Sequence, residues 1–94
     1  VRPWRRGDEE SLVANADNEL ANVLHDLGRL DEAEPHYRRA LAIEGEVRGQ
    51  ASLGYAVQLN NLAALFEDRG DYAGAEPLAR RSLAGRRAGR RGAV

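Results

Sequence analysis

The amino-acid sequence repeats itself with a period of 42 residues. When residues 6–43 are aligned with residues 48–85, 15 of the 38 aligned pairs are identical, and these include Gly28/Gly70 and Pro35/Pro77. A period of this length is typical of solenoids, in which each repeat is one supersecondary unit that buries its apolar face against its neighbours. We therefore expect residues 1–94 to be one fragment of a repeat array, with repeats at 6–47 and 48–89. Residues 86–94 are interpreted as a basic tail or as the start of a third repeat.

The composition and the spacing of apolar residues predict that the repeats are helical. Ala, Glu, Leu and Arg make up 51 of the 94 residues, whereas only seven residues are β-branched, so strands are disfavoured. Leu20, Leu24 and Leu27 recur every three or four residues, as one face of a helix requires. Gly28 and Gly70 are expected to end the first helix of each repeat, because glycine readily adopts the left-handed conformation. The fold class is therefore all-α, a helical-hairpin solenoid with four main helices near 9–27, 31–46, 52–69 and 73–85.

The second helix of the first repeat has signals of its own. Asp31 and Glu34 have the spacing of a capping pair. Pro35, like Pro77 in the second repeat, is expected near the first turn, where a missing N–H does least harm. Four residues of this helix are expected to face back onto the first helix: Ala33, Tyr37, Ala40 and Leu41. If the two hairpins lie in the same orientation, Leu20 and Leu62 should share one interior.

Two segments resemble tetratricopeptide repeats. They are NELANVLHDLGRLDEAEPHYRRALAI at residues 18–43 and NNLAALFEDRGDYAGAEPLARRSLA at residues 60–84. The 42-residue period and the Ala-Glu-Pro segments make them most similar to the repeats of kinesin light chains, and the resemblance covers about 80 of the 94 residues. It implies a helical-hairpin superhelix that acts as a non-catalytic scaffold and binds a protein or peptide segment.

The sequence departs from the family pattern at several places. Asp17 occupies a position that is usually apolar, Ala79 stands where the first repeat has Tyr37, and Gly85 stands where it has Ile43. These losses of volume predict that the last helix is weakly packed. The run Ser-Leu-Gly-Tyr at 52–55 also departs from the usual helix entry, so it does not fix where the third helix begins.

The resemblance also implies which side chains contact a bound peptide. In the family, the first helix of each repeat lines a concave groove. The positions that match its peptide-contacting sites are Asn15, Asn18, Asn22, His25, Val57, Asn60, Ala64 and Glu67. A carboxamide carries both donors and an acceptor, so it can bond to the backbone of an extended peptide without requiring a particular side chain. The alternative interpretation is that Asn18 and Asn60 only bridge neighbouring helices.

The residues indicate no catalytic centre, metal site or cofactor. His25 and His36 are the only histidines and cysteine is absent, so no set of zinc-type ligands is recognisable. His25 and Asp26 are adjacent, which directs them about 100° apart on a helix, and no nucleophile is marked near them. We therefore expect a protein that is not an enzyme.

The charges are unevenly distributed along the chain. Residues 8–46 contain 11 acidic and three basic residues, and residues 80–91 contain six Arg and no acid. This polarity favours head-to-tail self-association, and two repeats leave both end faces uncapped. The alternative function is accordingly a structural spacer or self-assembly unit that stacks through its end faces.

Other partners are not expected. The Arg-rich segment at 85–92 could contact phosphates by charge alone, but no aromatic residue is interleaved with it, which argues against nucleic-acid binding. No run is apolar enough for a membrane span. No signal peptide follows Val1, so we expect a cytoplasmic protein.

Overall fold

The chain folds into four antiparallel helices joined by short turns. The structure, a computed structural model, describes residues 6–92 and the side chains of residues 7–87. Helix α1 spans Arg6–Asp26, α2 spans Leu30–Val47, α3 spans Leu53–Asp68 and α4 spans Tyr72–Gly92. No strand occurs between residues 6 and 92. The prediction of an all-α fold with two helical hairpins is confirmed, and most helix boundaries differ from the predicted ones by one to three residues.

Glycine closes the first helix of each hairpin as predicted. Gly28 has φ 80° and Gly70 has φ 87°, a conformation that costs other residues about 1 kcal/mol or more. After α1, the N–H of Gly28 bonds to the carbonyl of His25 at 2.9 Å, and the N–H of Arg29 bonds to that of Leu24 at 2.8 Å. This pair of bonds is the Schellman arrangement. It reverses the chain within three residues, so that α2 folds back along α1.

The starts of the second helices differ between the two repeats. The predicted capping pair of Asp31 and Glu34 does not form, because α2 begins at Leu30 and no side chain caps it. In the second repeat, Oδ1 of Asp71 accepts from the N–H of Gly74 at 2.9 Å and caps α4. Pro35 and Pro77 each lie in the sixth position of their helix, one turn further in than expected.

The entry to α3, which the sequence left open, is also capped by a side chain. Oγ of Ser52 accepts from the N–H of Tyr55 at 3.1 Å, and Ser52 itself has extended backbone angles. A serine in this position satisfies one of the donors that a helix start leaves unpaired. The third helix therefore begins at Leu53.

The core lies where α1, α2 and α3 meet. Its buried residues are Ala21, Leu24, Ala33, Tyr37, Leu62 and Leu65, and Leu30, Leu41, Phe66 and Leu78 pack against them. Small residues let the helix axes approach, while each fully buried leucine contributes about 1.5–3 kcal/mol of transfer free energy. As predicted, Ala33 and Tyr37 pack in one cluster with Ala21 and Leu24 of α1, and Leu41 packs against that cluster while partly buried. Ala40 is fully buried.

One expectation about the interior is wrong. Leu62 is fully buried, but 45% of Leu20 is exposed, although the two residues occupy equivalent positions in the repeats. Leu62 is covered because α3 packs against α2 as well as α4, whereas no helix among residues 6–92 covers the corresponding side of α1. The first helix enters the core through Ala21 and Leu24 instead.

The last helix is not weakly packed against α3. Gly85 is buried, and a Cβ atom placed on it would lie 3.1 Å from Cβ of Ala56. Ser82 Oγ donates to the carbonyl oxygen of Ala56 at 2.7 Å in the same contact. The missing side chain at position 85 thus permits a close approach of the two helices rather than leaving a void. Helix α4 also continues through the basic segment to Gly92, seven residues beyond the predicted end, while residues 93–94 of that segment lie outside the described part.

Candidate functional site

The eight predicted groove residues lie on α1 and α3 at the spacing of one helix face. Five of them are exposed: Asn15, Asn22, Val57, Asn60 and Glu67. The other three, Asn18, His25 and Ala64, are partly buried. Two side-chain contacts connect this face of α1 with α3, and they show that the two rows of residues are neighbours.

The first contact is between two asparagines. Nδ2 of Asn61 on α3 donates to Oδ1 of Asn18 on α1 at 3.2 Å. Asn18 therefore has a structural role between the repeats, as the alternative interpretation of its position proposed. Asn60 does not share that role, because its side chain is exposed and makes no hydrogen bond within the described residues. The bridging partner is the next residue along, Asn61.

The second contact is part of a hydrogen-bonded chain that crosses three helices. Oη of Tyr37 on α2 donates to Oδ1 of Asn22 at 2.6 Å, and Nδ1 of His25 lies 3.1 Å from the same Tyr37 oxygen. Nε2 of His25 lies 2.5 Å from Oδ2 of Asp68 on α3. Both ring nitrogens of His25 thus contact polar side chains, one on α2 and one on α3. This chain holds Asn22 and His25 in fixed positions relative to both repeats.

Negative charge surrounds this chain. Burial raises the pKa of the Tyr37 phenol, and the nearby carboxylates of Asp26 and Asp68 raise it further. Glu67, beside Asp68 at the end of α3, adds a third carboxylate and is exposed. The end of the surface near the C-termini of α1 and α3 is therefore acidic, while its other end carries the neutral Asn15 and Val57.

A separate ion-pair cluster fixes α2 against α3 outside the groove face. NH1 of Arg69 lies 2.8 Å from Oε1 of Glu34, and its guanidinium lies over the ring of Phe66 at 5.4 Å. The pKa of Glu34 is lowered, chiefly by its hydrogen bond to Arg38 and, against the opposing effect of burial, by Arg69. Together these contacts keep the two hairpins in one relative orientation.

Three contributors to the site were not predicted: Asn61, Tyr37 as a hydrogen-bond donor, and Asp68. Asp68 could have been found, because it is identical to Asp26 in the 42-residue register and lies beside Glu67. The burial of Tyr37 was predicted, but no periodicity indicates where its hydroxyl group points. The Asn61 bridge has no counterpart in the first repeat, where the equivalent residue is Glu19.

The described residues show no group of three or more side chains that could hold a metal ion. None of the helices in the described part of the chain combines the length and apolarity needed to cross a membrane. The site is therefore defined by exposed amides and carboxylates on two adjacent helices.

Two helical hairpins in the same orientation, repeated every 42 residues and packed through α2 and α3, define a helical-repeat protein. The comparison with protein families agrees with this class. Residues 12–88 match the tetratricopeptide repeat family, and the chain belongs to that family. A comparison with curated proteins gives no match.

Proposed function

We propose that this protein is a non-catalytic interaction module that binds an extended segment of a partner protein across α1 and α3. Membership of the tetratricopeptide repeat family supports a scaffold that binds proteins or peptides. The particular surface is proposed from the exposed amides on it. Asn15 and Asn60 are exposed, and their carboxamides make no hydrogen bond within the described part of the chain, so both are available to a ligand.

The fixed chain beneath this surface supports the proposal. Asn22 and His25 are held by Tyr37 and Asp68, so their polar atoms need little ordering when a ligand binds, and lost side-chain freedom is one of the main costs of association. The bound segment would bond through its backbone to Asn15, Asn22 and Asn60. The acidic end near Glu67 favours a basic residue at one end of the segment. We also propose that the partner segment is bound in the manner of kinesin light chains and that binding takes place in the cytoplasm.

The experiment first selects peptides that bind the chain and then measures their affinity for a matched set of variants. The full chain is used to select binders from a random peptide library, and the affinity of each selected synthetic peptide is measured by calorimetry. Asn15→Ala and Asn60→Ala should each weaken binding about tenfold, the value of one good hydrogen bond to a ligand. Asn18→Ala is unsuitable because it also breaks the bridge to Asn61.

The control is Glu46→Ala, which removes an exposed polar side chain on α2, outside the proposed surface. It should leave the affinity unchanged. If the selected peptides lose affinity with Glu46→Ala and not with the asparagine variants, they bind elsewhere and the proposed surface is wrong.

A second candidate function is self-assembly through the end faces, and one observation favours it. Val13, Leu20 and Val23 on α1 are 38%, 45% and 55% exposed, whereas Tyr55, Leu62 and Leu65 at the equivalent positions of α3 are 7%, 0% and 0% exposed. The apolar stripe that α2 and the rest of the core cover on α3 in the second repeat is therefore exposed on α1 in the first repeat. On α4, Tyr72 and Leu83 are 69% and 52% exposed, while their equivalents in α2, Leu30 and Leu41, are partly buried.

The contact between α2 and α3 supplies the register for such an assembly. Gly45 of α2 lies beside Tyr55 of α3, so the same contact between two copies would place Arg87 of one copy beside Val13 of the next. The acidic first turn of α1 precedes Val13 by about one helical turn, and it would then lie near the basic end of α4. Open head-to-tail association of this type generates chains rather than closed dimers.

Sedimentation velocity tests this candidate with two blocking variants. Leu20→Glu blocks the α1 face and Leu83→Glu blocks the α4 face, so each alone should be monomeric. A mixture should form a dimer through the one intact pair of faces. Val57→Glu, which lies on the proposed groove surface, is the control and should assemble as the unmodified chain does. If the unmodified chain stays monomeric at every concentration, even at low salt, the proposed assembly is wrong.

A further inference from the structure

A cleft lies between the turn that joins α2 to α3 and the middle of α4. Its volume is about 360 Å³, and it is lined by Gln50, Ala51, Tyr55, Leu59, Arg81, Ala84 and Gly85. The lining is apolar apart from the Gln50 amide, the Arg81 guanidinium and the Tyr55 hydroxyl. At 100° per residue, Tyr55 and Leu59 project from α3 between about 100° and 160° away from Val57, Asn60 and Asn61, so the two groups lie on different faces of the helix. The cleft is therefore separate from the proposed groove.

Arg81 lies at this cleft without a carboxylate partner. NH2 of Arg81 donates to Oη of Tyr55 at 2.9 Å, and its guanidinium lies 5.8 Å from the centroid of that ring. Among the described residues it forms no ion pair. One of its five N–H donors is used in this way, and the interaction with Tyr55 positions the others.

The first repeat shows what an arginine at this position pairs with. Arg39 is the equivalent of Arg81, and its Nε lies 3.0 Å from Oδ2 of Asp17. The other oxygen of Asp17 lies 3.1 Å from Nδ1 of His36. The second repeat has Leu59 in place of Asp17 and Leu78 in place of His36. The cation has thus been kept while the carboxylate that it pairs with inside the hairpin has been replaced by an apolar side chain.

The space needed by a ligand also arises from a difference between the repeats. Gly85 lines the cleft where the first repeat has Ile43. A glycine places no side chain in the cleft, and its buried backbone approaches Ala56 closely. Leu59 and Ala84 then form an apolar wall next to the guanidinium.

We propose that this cleft is a second protein-binding site, which takes an aspartate or glutamate side chain of a partner together with the apolar side chain next to it. The partner's carboxylate pairs with Arg81 as Asp17 pairs with Arg39, and its apolar neighbour packs on Leu59 and Ala84. Arg–carboxylate hydrogen bonds are charge-assisted and directional, and the adjoining apolar surface excludes part of the water that screens them. The site goes beyond the proposed function, because it uses none of the groove residues.

The test is a titration of the full chain, labelled with nitrogen-15, with the blocked dipeptide N-acetyl-Leu-Asp-amide. Saturable changes in amide chemical shift are expected at Gln50, Ala51, Tyr55, Ala84 and Gly85. N-acetyl-Leu-Asn-amide, which has the same shape and no charge, should bind about tenfold more weakly. Arg81→Gln should weaken binding of the aspartate peptide by the same factor. Arg80→Gln, which changes the neighbouring exposed arginine, should leave the affinity unchanged.

A second variant separates a lost site from a lost fold. Ala84→Leu fills the cleft from an exposed position on α4 and should also abolish the shifts, while circular dichroism reports whether each variant remains helical. If Arg81→Gln does not fold, Ala84→Leu and the comparison of the two peptides decide the matter. The proposal is overturned by equal affinities for the two peptides, by the absence of saturable shifts up to the solubility limit, or by shifts centred on Val57 and Asn60.

Discussion

Nε2 of His25 lies 2.5 Å from Oδ2 of Asp68, 43 residues away along the chain. The contact joins the last turn of α1 to the last turn of α3, so it connects the two repeats directly. Because 15% of the His25 side chain and 61% of the Asp68 side chain are exposed, solvent screens the pair in part. We expect a coupling free energy of about 0.3–1 kcal/mol.

A double-mutant cycle with His25→Ala and Asp68→Ala measures that coupling by urea denaturation. The control is a cycle on Arg29 and Glu32, an exposed pair at the start of α2, whose loss should not affect contact between the repeats. A coupling of zero between His25 and Asp68 would mean that the contact does not hold the repeats together.

Asp17 is the buried member of its cluster, and its stability contribution depends on Arg39. Only 9% of the Asp17 side chain is exposed, compared with 61% for Arg39. Arg39→Gln should lower the free energy of unfolding by about 1–3 kcal/mol, because a buried carboxylate loses its cation. In an Asp17→Leu background, which copies Leu59 of the second repeat, the same change should cost less than about 0.5 kcal/mol. Equal losses in the two backgrounds would show that Arg39 acts independently of Asp17.

Tyr37 makes the stability depend on pH in the alkaline range. Its folded-state pKa is raised above the ordinary value of 10.0, so the folded state holds the phenol proton more tightly than the unfolded chain does. The resulting contribution is fully present below pH 10 and is lost as the pH rises through the folded-state value. The difference in unfolding free energy between the unmodified chain and Tyr37→Phe should therefore shrink above pH 10. A difference that stays constant up to pH 12 would contradict this account.

The two hairpins should differ in how much stability is lost when the residue before their second helix is replaced. Asp71 caps α4 through the N–H of Gly74, whereas Arg29 at the equivalent position provides no side-chain cap for α2. Asp71→Ala should therefore lower the free energy of unfolding by about 1 kcal/mol, while Arg29→Ala should cost less than half of that. Thermal denaturation of both variants tests the order, and the reverse order would refute it.

Gln58 is a buried amide whose Oε1 finds no hydrogen-bond partner among the described residues. Gln58→Met keeps a similar length and removes the unsatisfied oxygen. We expect it to raise the free energy of unfolding by about 1 kcal/mol. A loss of stability in guanidinium denaturation would indicate that the amide is satisfied in solution.

Sequence periodicity was sufficient to predict the fold class, because it depends on local chemistry. Gly28 and Gly70 end helices through their own backbone freedom, and the spacing of apolar residues defines a helix face before any partner is present. The 42-residue repeat then implies that the hairpins pack in the same way. Helix boundaries and the burial of Ala33, Tyr37 and Ala40 follow from these features.

The candidate groove was predicted through a family resemblance, and it stays a prediction. What the sequence could not supply was the partner of each polar side chain. Asn18 pairs with Asn61, and His25 pairs with Tyr37 and Asp68, across separations of 12 to 43 residues. Such pairs depend on how far α1, α2 and α3 slide and rotate against one another, and helix periodicity carries no information about that.

Chain-local rules thus determined which residues are helical, where the helices end and which faces are apolar. Tertiary packing decided the rest. It left Leu20 exposed while burying its equivalent Leu62, because α3 packs against both α2 and α4, whereas α1 packs mainly against α2 among the described residues. It also brought α4 close to Ala56 at a glycine that the sequence indicated as a weakness. Burial and pairing are properties of what surrounds a side chain, so identical residues in two repeats can have different roles.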